Sequence, residues 1–343
     1  MRGITSAWLM VAALALWGVT AAAQGQGGKT TVKVGVTDRP DNAALYLAYR
    51  RGYFDQQGLS LEFVGGGNAG QDFVPALGLN QVQVAAGSPS AGLFNALNRG
   101  IVIRIVADWA HVGAGDDATF ALVARSDLLD SGAIKTLADL KGKTIAVGPN
   151  HGSVNDILIA EALKKGGLAL GDANLVLMGF ADGIAGLTSH RLDGALMIEP
   201  LVTMVEGKGI AKVLASAGAV IPGAELAALY YSPEFARDKD AATRYMVAYL
   251  HGKRDFDDAF HGNKDREAAI AILAQDLPRV PPEIWRTSRP NVCDLNGEVN
   301  VANIIAQAEF YKKDGEITGP IPDIAKFVDM QFAQGAVKVL GRR

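Results

Sequence analysis

The sequence predicts an α/β protein built from mostly parallel sheets flanked by helices. Three observations predict it. Short apolar runs with a two-residue period recur along the chain, as in Val32-Lys33-Val34-Gly35-Val36. Most are followed by stretches with helical spacing, and that alternation produces parallel sheets covered on both faces. The joints between them are polar loops rich in Gly, Pro, Ser and Asn.

Each element follows from its local pattern. The first strand ends in the polar loop Thr37-Asp38-Arg39-Pro40-Asp41-Asn42, and a helix over 43–51 is stopped by Gly52. A second strand covers 59–64. The run Gly65-Gly66-Gly67-Asn68-Ala69-Gly70 precedes a helix over 72–79. A third strand at 82–86 leads through Gly87-Ser88-Pro89-Ser90 into a helix ending near Arg99, and a fourth strand covers 101–108. Residues 111–117 break the pattern. Segments 119–125 and 227–232 are isolated and β-rich. Between them, Leu137 and Leu140 mark a short amphipathic helix, and Lys141-Gly142-Lys143 turns into a buried strand at 144–147. The loop Gly148-Pro149-Asn150-His151-Gly152-Ser153 then feeds a helix over 154–164. A helix at 183–190 leads to a strand at 195–198, closed by Glu199-Pro200. The remainder is mostly helical, over 240–261, 265–276, 282–286, 299–314 and 322–334. Gly341-Arg342-Arg343 is expected to fray.

Composition narrows the function. A chain of 343 residues is long enough for two domains. A formal charge of −3 offers no electrostatic footprint for nucleic acid. Arg2, the apolar run 7–19 and Ala21-Ala22-Ala23 read as a secretory signal over 1–23, cleaved before Gln24 and followed by a disordered tether at 24–29. The sole cysteine, Cys293, forms no internal disulfide, and nothing near it in sequence suggests a paired base. The five His show no metal-ligand spacing, so no metal and no cofactor is expected. No nucleophile elbow or Ser-His-Asp order is present, so no catalytic residue is assigned.

Residues 134–157 (IKTLADLKGKTIAVGPNHGSVNDI) and 187–202 (LTSHRLDGALMIEPLV) resemble the periplasmic substrate-binding proteins of ABC importers, in the nitrate/sulfonate/taurine/thiamine-pyrimidine family. Further matches are Ala44-Leu45-Tyr46-Leu47-Ala48, Arg51-Gly52-Tyr53-Phe54, Gly58-Leu59 and the stretch LGLNQVQVAAGSPS at 77–90. The pieces run in the family's order over about 32–213. One departure is Gln83, which stands where the family usually has Asp at a strand start.

The resemblance implies a two-lobed type II binding-protein fold with a ligand cleft between the lobes. Lobe 1 would be 30–119 with 227–343, and lobe 2 would be 120–226. The two isolated β-rich segments would cross between lobes as the hinge. It implies a monomeric, non-enzymatic periplasmic receptor that takes a small-molecule ligand to an ABC permease and its ATPase. Same-fold enzymes of pyrimidine or menaquinone synthesis are the alternative. They are cytosolic, and the thiamine-pyrimidine synthases carry a Cys-rich segment. The signal and the single Cys argue against them.

Within that frame the loops after strands supply the candidate contacts. Arg39 offers a bidentate fork to an anion. Asn42 is a plausible N-cap with its amide towards the cleft. The glycine run at 65–70 could approach a ligand with its backbone. Ser88, before Pro89, can cap a helix and offer its hydroxyl. Trp109 could stack on a ring, and His111 could donate a hydrogen bond. Asn150, His151, Gly152 and Ser153 sit at a helix start with free backbone N–H groups. Glu199 either binds the ligand or forms a salt bridge across the closed cleft. These groups favour a small organic anion, a sulfonate or carboxylate, with a pyrimidine-type or aromatic compound second.

Overall fold

A computed structural model describes residues 28–37, 40–65, 73–289 and 291–343. The expected signal segment, residues 24–27 of the tether, Arg39 and Gly66 to Gly70 lie outside the described residues.

The described chain forms two five-stranded sheets. The first holds β1 (Thr30–Val36), β2 (Leu59–Gly65), β3 (Val84–Gly87), β4 (Arg104–His111) and, from much later, β10 (Glu225–Tyr231), in the order β2-β1-β3-β10-β4. The second holds β5 (Phe120–Arg125), β6 (Thr144–Ala146), β7 (Asn174–Val176), β8 (Gly194–Ile198) and β9 (Ala211–Ser216), in the order β7-β6-β8-β5-β9. Each sheet is parallel where a helix connects its strands. It is antiparallel around the one strand that enters from the other sheet: β10 against β3 and β4, and β5 against β8 and β9.

The isolated β-rich segments therefore do not run between the lobes. They became β5 and β10, each inside one sheet. The chain passes between sheets at 112–119 and 217–224. These two crossovers are bonded to each other: Val112 N–H donates to Ala224 O at 2.9 Å, and Gly223 N–H returns to Val112 O at 2.9 Å. Ser216 Oγ adds a bond to Gly115 O at 3.0 Å.

Strand periodicity explains the layers. Successive side chains point to opposite faces. Val84, Val106 and Tyr231 pack with Tyr245 and Leu250, whereas Ala85, Ile105 and Tyr230 pack with Leu77, Phe94 and Ile304. In the second sheet Leu122, Ile145 and Leu196 meet Leu158 and Leu163, while Val123, Ala195 and Met197 meet Leu187 and Val202. Sheets covered on both faces need these near-continuous apolar strands. At the departure noted above, Gln83 Oε1 accepts Lys33 N–H at 2.6 Å, so an amide oxygen fixes that strand start where a carboxylate was expected.

Two C-terminal expectations fail. The helix expected over 322–334 is a short turn, Ile324–Lys326, followed by a helix at Gln331–Leu340. The last residues are tied down rather than frayed. Asn296 Nδ2 donates to Arg343 O at 2.7 Å, Arg254 Nη2 donates to Gly341 O at 2.7 Å, and Arg343 pairs with Asp258.

Candidate ligand cleft

A cavity of about 160 Å³ lies between the two sheets, at the ends of β1, β3, β4 and β8. Thr37, Asp41, Asn42, Gly87, Ser88, Trp109, Leu226 and Ala227 line it from the side of the first sheet. Thr119, Phe120, Pro149, Asn150, Ser153, Val154, Asn155, Phe180, Ile198 and Glu199 line it from the second, and Asn291 arrives from the C-terminal region. Six of the sequence candidates are thus brought together: Asn42, Ser88, Trp109, Asn150, Ser153 and Glu199. His111, His151 and Gly152 are not among the lining residues, and Arg39 lies outside the described residues.

Several roles differ from expectation. Asn42 sits before the helix Ala43–Arg50 but makes no capping bond; its Nδ2 donates to Thr37 O at 2.7 Å and holds the loop together. The cap at the helix Ala91–Asn98 is Ser90, whose Oγ accepts Leu93 N–H at 3.3 Å. That leaves the Ser88 hydroxyl buried in the cleft with no partner among the described residues. Trp109 is already stacked on Tyr249, with centroids 5.0 Å apart and planes 12° from parallel, and its Nε1 donates to Asp41 O at 3.0 Å. It walls the cleft as a fixed plate. His111 turns towards Asp108, with Nδ1 at 3.3 Å from Oδ1.

The loop at 148–153 is organised by Asp156, from inside the helix Val154–Lys165. Its Oδ2 accepts Gly152 N–H at 2.6 Å and Ser153 N–H at 3.3 Å, and His151 Nδ1 lies 3.3 Å from Oδ1. Those N–H groups are consumed by the protein itself. Gly152 has φ +71°, and its carbonyl accepts Ala91 N–H at 2.9 Å, so the loop touches the start of a helix on the opposite sheet. Val154 and Asn155, in the first turn where N–H groups lack intrahelical partners, remain on the cavity wall.

Glu199 forms the salt bridge rather than standing free. Its carboxylate accepts Thr203 N–H at 3.0 Å, Thr203 Oγ1 at 2.8 Å, and Arg289 N–H and Nη1 at 3.2 Å each. Arg289 also reaches Glu206 at 3.1 Å. The clasp joins the end of β8 to the C-terminal region that delivers Asn291.

Behind the cleft lies a charged cluster that sequence spacing did not reveal. Asp108 and Lys253 are fully buried and paired at 3.0 Å, and Asp294 N–H adds a bond at 2.6 Å. Burial alone would raise the Asp108 carboxyl, but Lys253 and His111 outweigh it and hold it below the ordinary range. Glu225, at the start of β10, is pushed up to about 9, first by burial and then by the Asp108 charge beside it. Burial pushes the half-buried Cys293 thiol up to about 11, the reverse of an activated nucleophile.

Thr119, Asn155, Phe180 and Asn291 were missed by sequence reasoning. Asn155 reads as an ordinary helix residue, and Asn291 lies in an irregular stretch with no motif. Thr119 was read only as the first residue of a β-rich segment.

Two sheets joined by paired crossovers around a cleft make a two-lobed α/β fold. The chain matches the NMT1/THI5 like family over residues 39–254 and belongs to that family. A relative in Brucella abortus, named a binding protein, is 24% identical over 208 residues, which cover 60% of this chain and 59% of that protein. The chain thus matches about three fifths of the length of the curated relatives. Among solved structures, the alkanesulfonate-binding protein from Xanthomonas axonopodis pv. citri, bound to MOPS, is 19% identical with a TM-score of 0.67, covering 88% of this chain and 98% of that one. The nitrate-binding protein from Synechocystis PCC 6803 is 15% identical with a TM-score of 0.69, covering 91% and 89%. The desulfurization enzyme DSZB shares the fold at 15% identity and a TM-score of 0.61, covering 91% of this chain and 100% of the enzyme.

Proposed function

We propose that the protein is the solute receptor of an ABC importer, exported to the periplasm, which captures a small organic molecule between two lobes. The first lobe is 30–119 with 225–343, because β10 of the first sheet opens at Glu225, and the second is 120–224. The observation that carries this reading is the cavity itself: both sheets line it, and it presents the Ser88 hydroxyl without a partner among the described residues. A ligand touching both walls stabilises the closed arrangement over an open one. Release to a permease and its ATPase then needs only reopening. Among the described residues no helix is long and apolar enough to cross a membrane.

The ligand we assign has an oxygen-rich polar head and a flat or apolar body. Ser88, Asn150, Asn155 and the first turn of Val154–Lys165 supply polar groups, while Trp109, Phe120 and Phe180 supply apolar walls. A sulfonate or carboxylate fits this, with Arg39 as its counter-charge. The same-fold enzyme reading gains nothing from Cys293, which lies outside the cleft lining.

The test is thermal unfolding of residues 24–343 against alkyl and aryl sulfonates, nitrate, carboxylates and thiamine-related pyrimidines. A true ligand at a hundred times its Kd should stabilise by ~2.7 kcal/mol, an upward shift of several degrees. No shift from any member would refute this ligand assignment.

A further inference from the structure

Thr119 ends the first crossover and opens the second sheet. It is 3% exposed, it lines the cleft, and its Oγ1 has no hydrogen-bond partner among the described residues. Its backbone is fully committed. Its N–H donates to Asp117 Oδ1 at 2.9 Å, and its carbonyl accepts Glu199 N–H at 2.8 Å. The residue is therefore pinned, and its hydroxyl sits where the neighbouring chain puts it. A buried hydroxyl with no partner destabilises a fold, and a Val of the same shape would fill the space without that penalty.

We propose that Thr119 is a ligand-contacting residue, whose hydroxyl bonds an oxygen of the bound molecule at the hinge itself. This rests on the receptor reading above. Ser88 is in the same condition on the opposite sheet, with a buried, unpartnered hydroxyl on the cavity wall. A ligand with several oxygens, such as a carboxylate or a sulfonate, that bonds both hydroxyls would bridge the lobes. Because Thr119 closes the crossover segment, occupancy is felt directly where the lobes pivot. Trp109 and Phe120 then enclose the rest of the molecule.

The experiment compares wild type, Thr119→Val and Thr119→Ser by melting of the free protein and by titration calorimetry with methanesulfonate, MOPS, benzoate and nicotinamide. Thr119→Val should melt at the wild-type temperature or above it, because no protein hydrogen bond is lost. It should bind about tenfold more weakly whichever of the four probes wild type binds, the loss of one hydrogen bond. Thr119→Ser should restore most of that binding. If Thr119→Val melts several degrees lower, the hydroxyl has a structural partner and the proposal is overturned. If wild type and Thr119→Val bind a probe equally, Thr119 leaves the site while the receptor reading stands. If none of the four binds wild type, the receptor reading fails for these chemical classes and the proposal falls with it.

Discussion

Residues 87–90 and 148–153 each leave a strand and feed a helix, and they meet across the cleft at the bond from Ala91 N–H to Gly152 O. Their local problem is the same: the first N–H groups of a helix need acceptors. In the first loop the acceptor is Ser90, inside the loop, and Ser88 two residues earlier stays available. In the second loop Asp156 reaches back from within the helix and takes the Gly152 and Ser153 N–H groups. What remains for a ligand there is Asn150 before the cap and the first turn at Val154 and Asn155 after it. Capping consumes the donors nearest the helix start, so the groups left for binding lie to either side of it.

The comparison can be broken first at the contact between the loops. Gly152 has φ +71°, and a Cβ there would stand 2.7 Å from Ala91 Cβ. Gly152→Val should destabilise the closed arrangement by about 2–4 kcal/mol, through backbone strain and overlap together. The radius of gyration in solution should rise, and ligand affinity should fall about a hundredfold. A compact variant that binds normally would show that the loops need not touch.

A smaller effect sharpens the capping argument. Asp156→Ala and Ser90→Ala should each cost about 1 kcal/mol in denaturant unfolding, the usual worth of a cap. Similar losses would show that the two loops solve one problem by two routes. A negligible loss for Asp156→Ala would return the Gly152 and Ser153 N–H groups to the list of ligand donors.

The smallest expected change in stability comes from Ser88→Ala. Its hydroxyl bonds nothing among the described residues, so unfolding should stay within about 0.5 kcal/mol of wild type. Affinity measured by calorimetry should nonetheless drop about tenfold. A stability loss as large as that of Ser90→Ala would mean that Ser88 shares the capping duty.

Much of the fold was legible because local patterns carry it. The alternation in Val32-Lys33-Val34-Gly35-Val36 and the helix after Ser153 depend on neighbours a few residues away, and both stand close to where their spacing puts them. The strands Asn174–Val176 and Ala211–Ser216 were not foreseen. Asn174–Val176 has only three residues, too few to show a period. In the site, the loops were legible and the roles were not. Whether Ser88 or Ser90 caps, and whether His151 faces the ligand or Asp156, turns on shifts of one or two residues that side-chain type does not settle.

The sequence alone determined the strand-and-helix alternation, the polar loops at strand ends and the family. All of these are properties of short windows and their order. The tertiary structure decided which window meets which. It placed β10 between β3 and β4, Tyr249 on Trp109, Lys253 on Asp108, and Arg289 on Glu199, with Asn291 beside them. These partners are far apart in the chain. Their pairing is fixed by burial and by the cost of leaving a buried charge or donor unmatched, a balance taken over the whole fold rather than any one segment.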